Sequence, residues 1–351
     1  MSRRCFPSLP VRHERGESWR EGPEKKTSSP WPSPPACVGK RGRKSQTPTL
    51  FLLALVLATG CRTQQAHGSW PRHRLSAGQI TVLNLPNQER FDASGLWLLE
   101  DGNLLTLRNT HDSILYRIDT LPGGKEANLV PFNDCFQKDQ LRALSGTQRS
   151  FDCEGIARDE QGRFYVCEER GRSIFRCDPK TGRTERLPVD WGPVKDYFSL
   201  IDSNASFEGI AIGKGTLYVA NERSSAIIVE VDLASLKVKD HFVVQPTKSS
   251  FFGLHYSDLC WFEDQLWVLC RQHRVILKVD PATRRVLDEF DYGDLEESLG
   301  YRTGLPAGLM EGLTVSKDFI WLVTDNNGDL RGRTGNDMRP TLVRCPRPDR
   351  R

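Results

Sequence analysis

A pattern of short apolar strands repeats five times along this chain and constrains the fold more than any other feature. Each copy opens with a polar residue, continues in a strand rich in aromatic and β-branched residues, and usually ends in a third strand that closes with Asp. The copies open 50 to 60 residues apart, at Ser94, Glu154, Glu208, Asp258 and Glu311. Short antiparallel strands at this period are typical of a β-propeller in which each repeat is one blade. We therefore predict an all-β fold, a propeller of five four-stranded blades.

The two ends of the repeat region indicate how the propeller closes. Ile80–Leu85 has a strand pattern with no copy of its own, and we expect it to complete the last blade beside Thr341–Cys345. Such closure leaves no free strand edge for aggregation. Residues 121–150 are longer than a hairpin turn, so a sixth, degenerate blade stays open as an alternative. The propeller domain is expected to span residues 79–346, followed by a short tail at 347–351.

The first 60 residues differ from the rest, with 11 Lys/Arg against four Asp/Glu and many Pro and Ser, a composition typical of unfolded segments. Leu50–Leu57 is an apolar run too short to span a bilayer but typical of a signal peptide. It is followed by Ala58-Thr59-Gly60-Cys61, which resembles a bacterial lipobox, whose Cys is lipidated and becomes the mature N-terminus. We predict a lipoprotein signal peptide at 38–60, a lipid anchor on Cys61 and a tether at 61–78. A chance apolar run before a core cysteine is the alternative.

The position of the first methionine does not fit this signal peptide. Met1 lies almost 40 residues before its basic segment, and no other Met occurs before Met310. We expect translation to begin near Val38 at a non-Met codon, with residues 1–37 either untranslated or disordered. The lipid anchor predicts a membrane-attached protein of the bacterial cell envelope. Arg62, rather than Asp, after the Cys indicates the outer membrane if the cell is Gram-negative.

Removing this leader changes the charge of the protein. The whole chain has a formal net charge of +4, and the first 60 residues contribute +7, so the remainder carries about −3. The repeats also lack a basic stripe with interleaved aromatic residues. The charge and the composition therefore disfavour nucleic-acid binding, and we expect no nucleic-acid partner. We also expect a monomer.

The cysteines permit disulfides without specifying them. Seven follow the predicted anchor, an odd number: Cys135, Cys153, Cys167, Cys177, Cys260, Cys270 and Cys345. The expected hairpin register does not place two cysteines of one hairpin directly opposite each other. We therefore expect most of the cysteines to be small core residues. Cys135 with Cys153 is the one candidate disulfide, and no cluster of Cys and His has the spacing of a zinc site.

The polar residue that opens each copy is a carboxylate in four of them: Glu154, Glu208, Asp258 and Glu311. Because the innermost strands of a propeller line a central channel, these side chains are expected to converge on one axis. Converging carboxylates raise one another's pKa unless a cation neutralises them, and oxygen ligands suit calcium. We therefore predict that they bind Ca²⁺. The alternative, equally open, is that each Glu-Gly hydrogen-bonds to the neighbouring blade and holds the ring together.

A second set of polar residues follows the second strand of each copy: Asn109, Glu169, Glu222, Arg271 and Asp325. Glu169 and Glu222 are each followed by an arginine, Arg170 and Arg223. Acidic and basic groups side by side at a channel mouth suit a polar or phosphorylated ligand. We assign proton transfer to Glu169 or Glu222, and binding of an anionic substrate to the two arginines. The alternative is a solvated rim of salt bridges between blades.

Several of these motifs carry a family resemblance. Glu154–Ala157 after Phe151, and the aromatic-Val-x-x-Glu-Arg strand of Tyr165–Arg170, resemble the SdiA-regulated family of bacterial propeller proteins. Met310–Leu313 with Trp321–Gly328 is similar to the phytase-like family, also called esterase-like activity of phytase. The likeness runs from about Phe91 to Cys345.

The resemblance implies a calcium-associated propeller in the cell envelope, with phosphoester or ester hydrolysis as the named activity. Ser94, Cys270 and Arg271 depart from the acidic or amide residues of the other copies, which counts against a complete ring of metal ligands. Cys270 belongs to the position at the end of the second strand that Glu168 and Asn221 occupy in other copies. Two function classes stay open. One is a metal-dependent hydrolase acting on a small anionic or ester ligand at the channel mouth. The other is a non-enzymatic propeller that binds a ligand or protein and is tethered to the membrane.

Overall fold

The protein consists mainly of short β-strands. The computed structural model describes residues 69–85, 90–109, 115–145, 152–302, 308–332 and 336–350. Within them lie 21 β-strands, two short α-helices and three 3-10 helices, so the all-β prediction is confirmed. The leader, Cys61 and the first part of the expected tether lie outside the described residues.

The strands, apart from the first, form five antiparallel sets of four. β1 (Arg72–Arg74) and β2 (Gln79–Asn84) come first in the chain. The first set is β3 (Ala93–Leu98), β4 (Leu104–Arg108), β5 (Leu115–Thr120) and β6 (Glu126–Pro131). The second is β7 (Cys153–Arg158), β8 (Phe164–Glu168), β9 (Ser173–Asp178) and β10 (Arg183–Arg186), and the third is β11 (Phe207–Gly213), β12 (Thr216–Asn221), β13 (Ile227–Asp232) and β14 (Lys237–Phe242). The fourth is β15 (Tyr256–Phe262), β16 (Gln265–Cys270), β17 (Val275–Asp280) and β18 (Arg285–Asp291), and the fifth is β19 (Met310–Val315), β20 (Phe319–Thr324), β21 (Thr341–Pro346) and β2.

These five blades form a closed ring. The first strand of each blade packs against the first strand of the next, and β19 of the fifth packs against β3 of the first. Five apolar core clusters fill the spaces between successive blades. Alternate side chains of β12 enter two different cores. Leu217 and Val219 face the second blade, whereas Tyr218 and Ala220 face the fourth. A sandwich of two sheets is therefore excluded.

The N-terminal strand closes the ring as predicted. β2 pairs antiparallel with β21, with Ile80 opposite Val343, and pairs parallel with the outer strand β6 of the first blade. Residues 121–145 supply β6 and the helix α1 (Lys138–Ser145), so in the described part of the segment they form no sixth blade. Arg72–Arg74, within the expected tether, forms β1 on the edge of the fourth blade. The expected tail also packs on this blade, where Lys278 Nζ lies 3.0 Å from Asp349.

The seven cysteines of the described residues form no disulfide with one another and are buried, as expected for small core residues. Cys135 and Cys153 lie in one core cluster without a disulfide between them. A hydrogen bond with Cys177, together with burial, raises the pKa of the Cys135 thiol. Among the described helices, which include α2 (Gly293–Ser298), no segment has the length and apolar character to cross a membrane.

Candidate functional site

The starts of the first strands and the ends of the second strands meet at one face of the ring. In each blade, the residue after the second strand donates its backbone N–H to a carbonyl just before the first strand, over 2.7 to 3.1 Å. The five pairs are Asn109 with Asp92, Glu169 with Asp152, Glu222 with Ser206, Arg271 with His255, and Asp325 with Leu309. This repeated bond places the second set of polar residues beside the first around a common mouth.

A β-bulge turns the opening carboxylates toward this mouth. The pairing between the first two strands shifts near the start of every blade. Between Phe207 and Gly209 the extra residue is Glu208, whereas in the first blade it is Gly95, after Ser94. The same shift surrounds Glu154 and Glu311. A bulge re-aims the side chain that it carries. It therefore directs these glutamates into the mouth of the ring.

The mouth contains a polar cavity of about 220 Å³. Its lining includes eight carboxylates: Asp92, Asp152, Glu154, Glu169, Glu208, Glu222, Glu311 and Asp325. Four arginines also line it: Arg90, Arg170, Arg223 and Arg271. Seven of the eight residues predicted as ligands or catalytic groups lie here, and Asp258 is the one that does not. Larger cavities exist elsewhere on the described surface, but they do not gather this chemistry.

The position of Asp258 corrects the sequence alignment by one residue. In the fourth blade the extra residue of the bulge is Ser257, so Asp258 stands where three other blades have Gly after Glu. Its carboxylate is fully buried and accepts hydrogen bonds from the backbone nitrogens of Leu259 (2.8 Å) and Leu313 (2.7 Å). Asp258 thus joins the fourth and fifth blades, which is the structural role considered as the alternative.

The arginines divide the cavity into two halves. Arg271 is partly buried, forms an ion pair with Glu311 and donates its Nε–H to the Gly308 carbonyl over 2.8 Å. It replaces a carboxylate at this position of the repeat and supplies positive charge to the half formed by the fourth and fifth blades. Arg170 and Arg223 lie at the rim of the other half, where Arg170 Nη2 is 2.9 Å from Asp152.

The half formed by the second and third blades is the more acidic one. Two sets of three side chains each bring one oxygen per residue within 4.8 Å of the others: Asp152, Glu154 and Glu169, and Glu169, Glu208 and Glu222. Glu169 belongs to both sets and is 2% exposed. Its Oε1 atom is buried without a hydrogen-bond partner. These sets could hold a metal ion, and the oxygen atoms fit a hard cation.

Burial shifts the ionisation of these groups. Desolvation is the main cause that raises the pKa of Glu169 and Glu311 to about 8 and that of Asp325 to about 7. The pKa values of Glu154 and Glu208 lie well above the ordinary value, through desolvation and then through repulsion from neighbouring carboxylates. An ionised carboxylate in this cavity is therefore costly unless a cation accompanies it.

We predict that the metal-free protein loses stability between pH 5 and pH 8. Glu169 and Glu311 keep a proton in the folded state up to pH of about 8, whereas in the unfolded chain they lose it near 4.5. The unfolded state therefore binds fewer protons in this window, and the free energy of unfolding falls as pH rises. Carboxylates with lowered pKa, such as Asp349 at about 2, titrate below the window. The lowered pKa values of the buried His255 and His273 oppose the trend only below the ordinary imidazole pKa of 6.5, so the fall is steepest above that pH. Thermal melting in chelator should show Tm falling by several degrees; a constant or rising Tm contradicts the assignment.

Two acidic residues of the cavity belong to neither set of polar residues that the sequence analysis singled out. Asp92 and Asp152 precede the first strands of the first and second blades, but the other blades have Ser206, His255 and Leu309 there. A search for residues repeated in every copy therefore misses them. The signal lay in a motif shared by two copies only, Phe-Asp-x-Ser/Glu-Gly.

The family of the chain follows from a comparison of its sequence with known families. The family described as phytase-like, esterase-like activity of phytase, matches residues 88–328, well over half of the chain. The chain belongs to the phytase-like family. The match includes all the carboxylates of the cavity, and the resemblance to the SdiA-regulated family stays a prediction. No match was found among curated proteins.

Three solved structures are similar to the chain to different degrees. Glutaminyl cyclase from Myxococcus xanthus is similar with a TM-score of 0.51 and 13% identity, over 79% of this chain and 97% of that one. Virginiamycin B lyase from Staphylococcus aureus has a TM-score of 0.41 and 13% identity, over 76% and 99% of the two chains. The PQQ-bound aldose sugar dehydrogenase from Streptomyces coelicolor has a TM-score of 0.41 and 14% identity, over 76% and 98%. At this identity the likeness to the cyclase concerns the fold alone.

Proposed function

We propose that this phytase-like propeller is a calcium-dependent hydrolase of phosphoesters or carboxylic esters, acting at the mouth of its ring. The observation that carries the proposal is the pair of carboxylate triads that share Glu169 in one buried cavity. Eight carboxylates against four arginines leave this cavity negative when all groups are ionised. The name of the family, esterase-like activity of phytase, supports an ester as the substrate.

The residues of the acidic half fit calcium better than a softer metal. Glu154, Glu169 and Glu208 offer only oxygen atoms, and no cysteine or histidine belongs to either set. Calcium accepts six to eight oxygen ligands at about 2.3–2.6 Å and tolerates irregular geometry. The buried Oε1 of Glu169 lacks a hydrogen-bond partner, as expected for an atom whose partner is an ion. Asp152 and Glu222 complete the two sets.

The protein's own groups have separate roles in this proposal. A bound calcium ion would polarise a phosphoryl or carbonyl oxygen. Arg170 and Arg223 at the rim hold the anionic part of the substrate. We assign proton uptake to Glu222, whose Oε1 lies 3.3 Å from His255 Nδ1 without a hydrogen bond between the two atoms. Burial lowers the pKa of His255 to about 4, so this imidazole is neutral near pH 7.

We also propose that the enzyme is attached to the cell envelope through a lipid on Cys61. The lipobox-like sequence and its apolar segment support this location. The Cys61→Ala change should move the protein, together with its activity, from the membrane fraction to the soluble fraction. Wild-type protein in the soluble fraction contradicts the anchor but leaves the hydrolase proposal intact.

The hydrolase proposal predicts turnover that depends on calcium. Wild-type protein should hydrolyse p-nitrophenyl phosphate or p-nitrophenyl butyrate with added Ca²⁺ and lose at least about tenfold in rate in excess chelator. Glu208→Gln should have the same effect with calcium present, because it removes a ligand. The matched control is Glu160→Gln, an exposed glutamate in the turn between β7 and β8 at the opposite face. Calcium binding without turnover of either ester favours the non-enzymatic binding propeller.

A further inference from the structure

Two neighbouring loops carry exposed apolar side chains, which we call the apolar tips: Leu200, Ile201, Phe251 and Phe252. The first three are 97%, 100% and 97% exposed, and Phe252 is 42% exposed. The other large apolar side chains that are exposed in the described residues reach only 37 to 39%. Monomeric soluble proteins rarely present such clustered exposure without a binding partner.

The apolar tips lie on the same face of the ring as the cavity. One loop leads into β11 and the other into β15, and these first strands both begin at the mouth. A chain of contacts joins the two loops: Asp202 lies 3.3 Å from Arg223, Arg223 pairs with Glu222, and Glu222 lies 3.3 Å from His255. The tips therefore flank the cavity on the side of the third blade.

The stems of both loops are held in place. The Ser199 carbonyl accepts a hydrogen bond from Arg172 Nη2 over 2.9 Å. Thr247 donates from its nitrogen and its hydroxyl to Glu289, each over 2.7 Å, and Lys248 Nζ lies 3.1 Å from Asp291. At the tip, the two phenylalanine rings pack edge to face on each other, with centroids 5.4 Å apart. Because these contacts hold the stems in place, the fold itself keeps the apolar tips exposed.

The start of the described chain indicates what covers the tips. Trp70 donates its ring N–H to Glu289 over 3.4 Å, and the same carboxylate binds Thr247 at the stem of the phenylalanine loop. Nine residues lead from the predicted lipid on Cys61 to Trp70, a reach of at most about 30 Å. A lipid anchor at Cys61 would thus keep this side of the ring close to the bilayer.

We propose that the apolar tips insert into the interface of a lipid bilayer and seat the mouth of the cavity on the membrane. Leucine, isoleucine and phenylalanine are the side chains that enter the boundary between head groups and acyl chains. Burial of the apolar side chains drives the insertion, so a zwitterionic surface is sufficient. Neither calcium binding nor hydrolysis is needed for the insertion.

Vesicle binding by the mature chain without its lipid tests the proposal. A chain that begins at residue 61 with Cys61→Ser contains every strand of the ring. In chelator it should sediment with phosphatidylcholine vesicles. The double variants Leu200→Ser/Ile201→Ser and Phe251→Ser/Phe252→Ser should each lower the partition coefficient at least about tenfold.

The control variant Leu287→Ser/Met338→Ser removes two apolar side chains that are 37% and 38% exposed elsewhere. It should bind vesicles as the parent does, and all variants should melt at temperatures close to that of the parent. Absence of vesicle binding by the parent, or equal binding by the loop variants, overturns the proposal. A dimer seen by sedimentation velocity that the loop variants abolish, without vesicle binding, assigns the tips to a second copy of the chain and also overturns it.

Discussion

Glu169→Gln is expected to weaken calcium binding by at least about 100-fold, or about 2.8 kcal/mol, and to raise the Tm of the metal-free protein. Glu169 belongs to both carboxylate sets, so its loss removes a ligand from each. Without metal, burial and then repulsion from Asp152 raise the pKa of Glu169 to about 8, so folding at neutral pH requires this group to take up a proton. A neutral amide of the same shape has no charge to desolvate. The two effects have opposite signs, which a merely structural role for Glu169 does not produce.

Calorimetric titration with Ca²⁺ and thermal melting in chelator measure the two effects on one preparation. The matched control is Glu160→Gln, which removes the same charge from an exposed turn. It should leave both quantities unchanged, because a solvated charge far from the cavity is screened. A Glu169→Gln protein that melts below wild type in chelator would show that this carboxylate stabilises the fold.

Gly155→Ala is expected to lower the free energy of unfolding by about 3 kcal/mol. A Cβ atom on Gly155 would lie 2.5 Å from the Ile210 nitrogen and 2.8 Å from the Gly209 Cα. Both neighbours are backbone atoms of the third blade, so no flexible side chain can move away. Close packing of the first strands around the axis leaves room only for hydrogen at this position.

The control for this change is Gly102→Ala, in the turn between β3 and β4. Gly102 has φ of +85°, but a Cβ atom added there would meet no other atom within 4 Å, so the substitution costs only backbone strain of about 1 kcal/mol. Urea unfolding gives both values. Equal losses for the two variants would mean that the first strands do not pack as tightly as described.

The fold could be predicted because its signal is repeated. Each blade needs the same alternation of apolar side chains to face two cores. Because the pattern occurs five times, it can be recognised even where a single copy departs from it. The closing strand was also visible, since Ile80–Leu85 has a strand pattern without a blade of its own. Contacts of the flanking segments were not visible, because the pairing of β1 with β18 and the ion pair of Asp349 depend on the assembled fourth blade.

The site could be predicted only in part, for two physical reasons. The bulge in each first strand allows a one-residue shift that the sequence alone does not reveal, and Asp258 was misaligned for that reason. The cavity is also not fivefold symmetric. Arg271 neutralises one half and Asp152 enriches the other, and both depart from the repeated pattern. The repeated residues make the fold recognisable, whereas the residues that distinguish one half of the cavity from the other are those that differ between the copies.

Calorimetric titration of the wild-type protein with CaCl₂ at pH 8 tests the central claim most directly. At this pH the carboxyl groups of Glu169 and Glu311 are near their pKa values of about 8, so calcium binding should release protons and its heat should depend on the buffer. We predict saturable binding of one or two ions per chain, with the enthalpy in Tris differing from that in Hepes. Absence of saturable binding up to millimolar calcium would contradict the account.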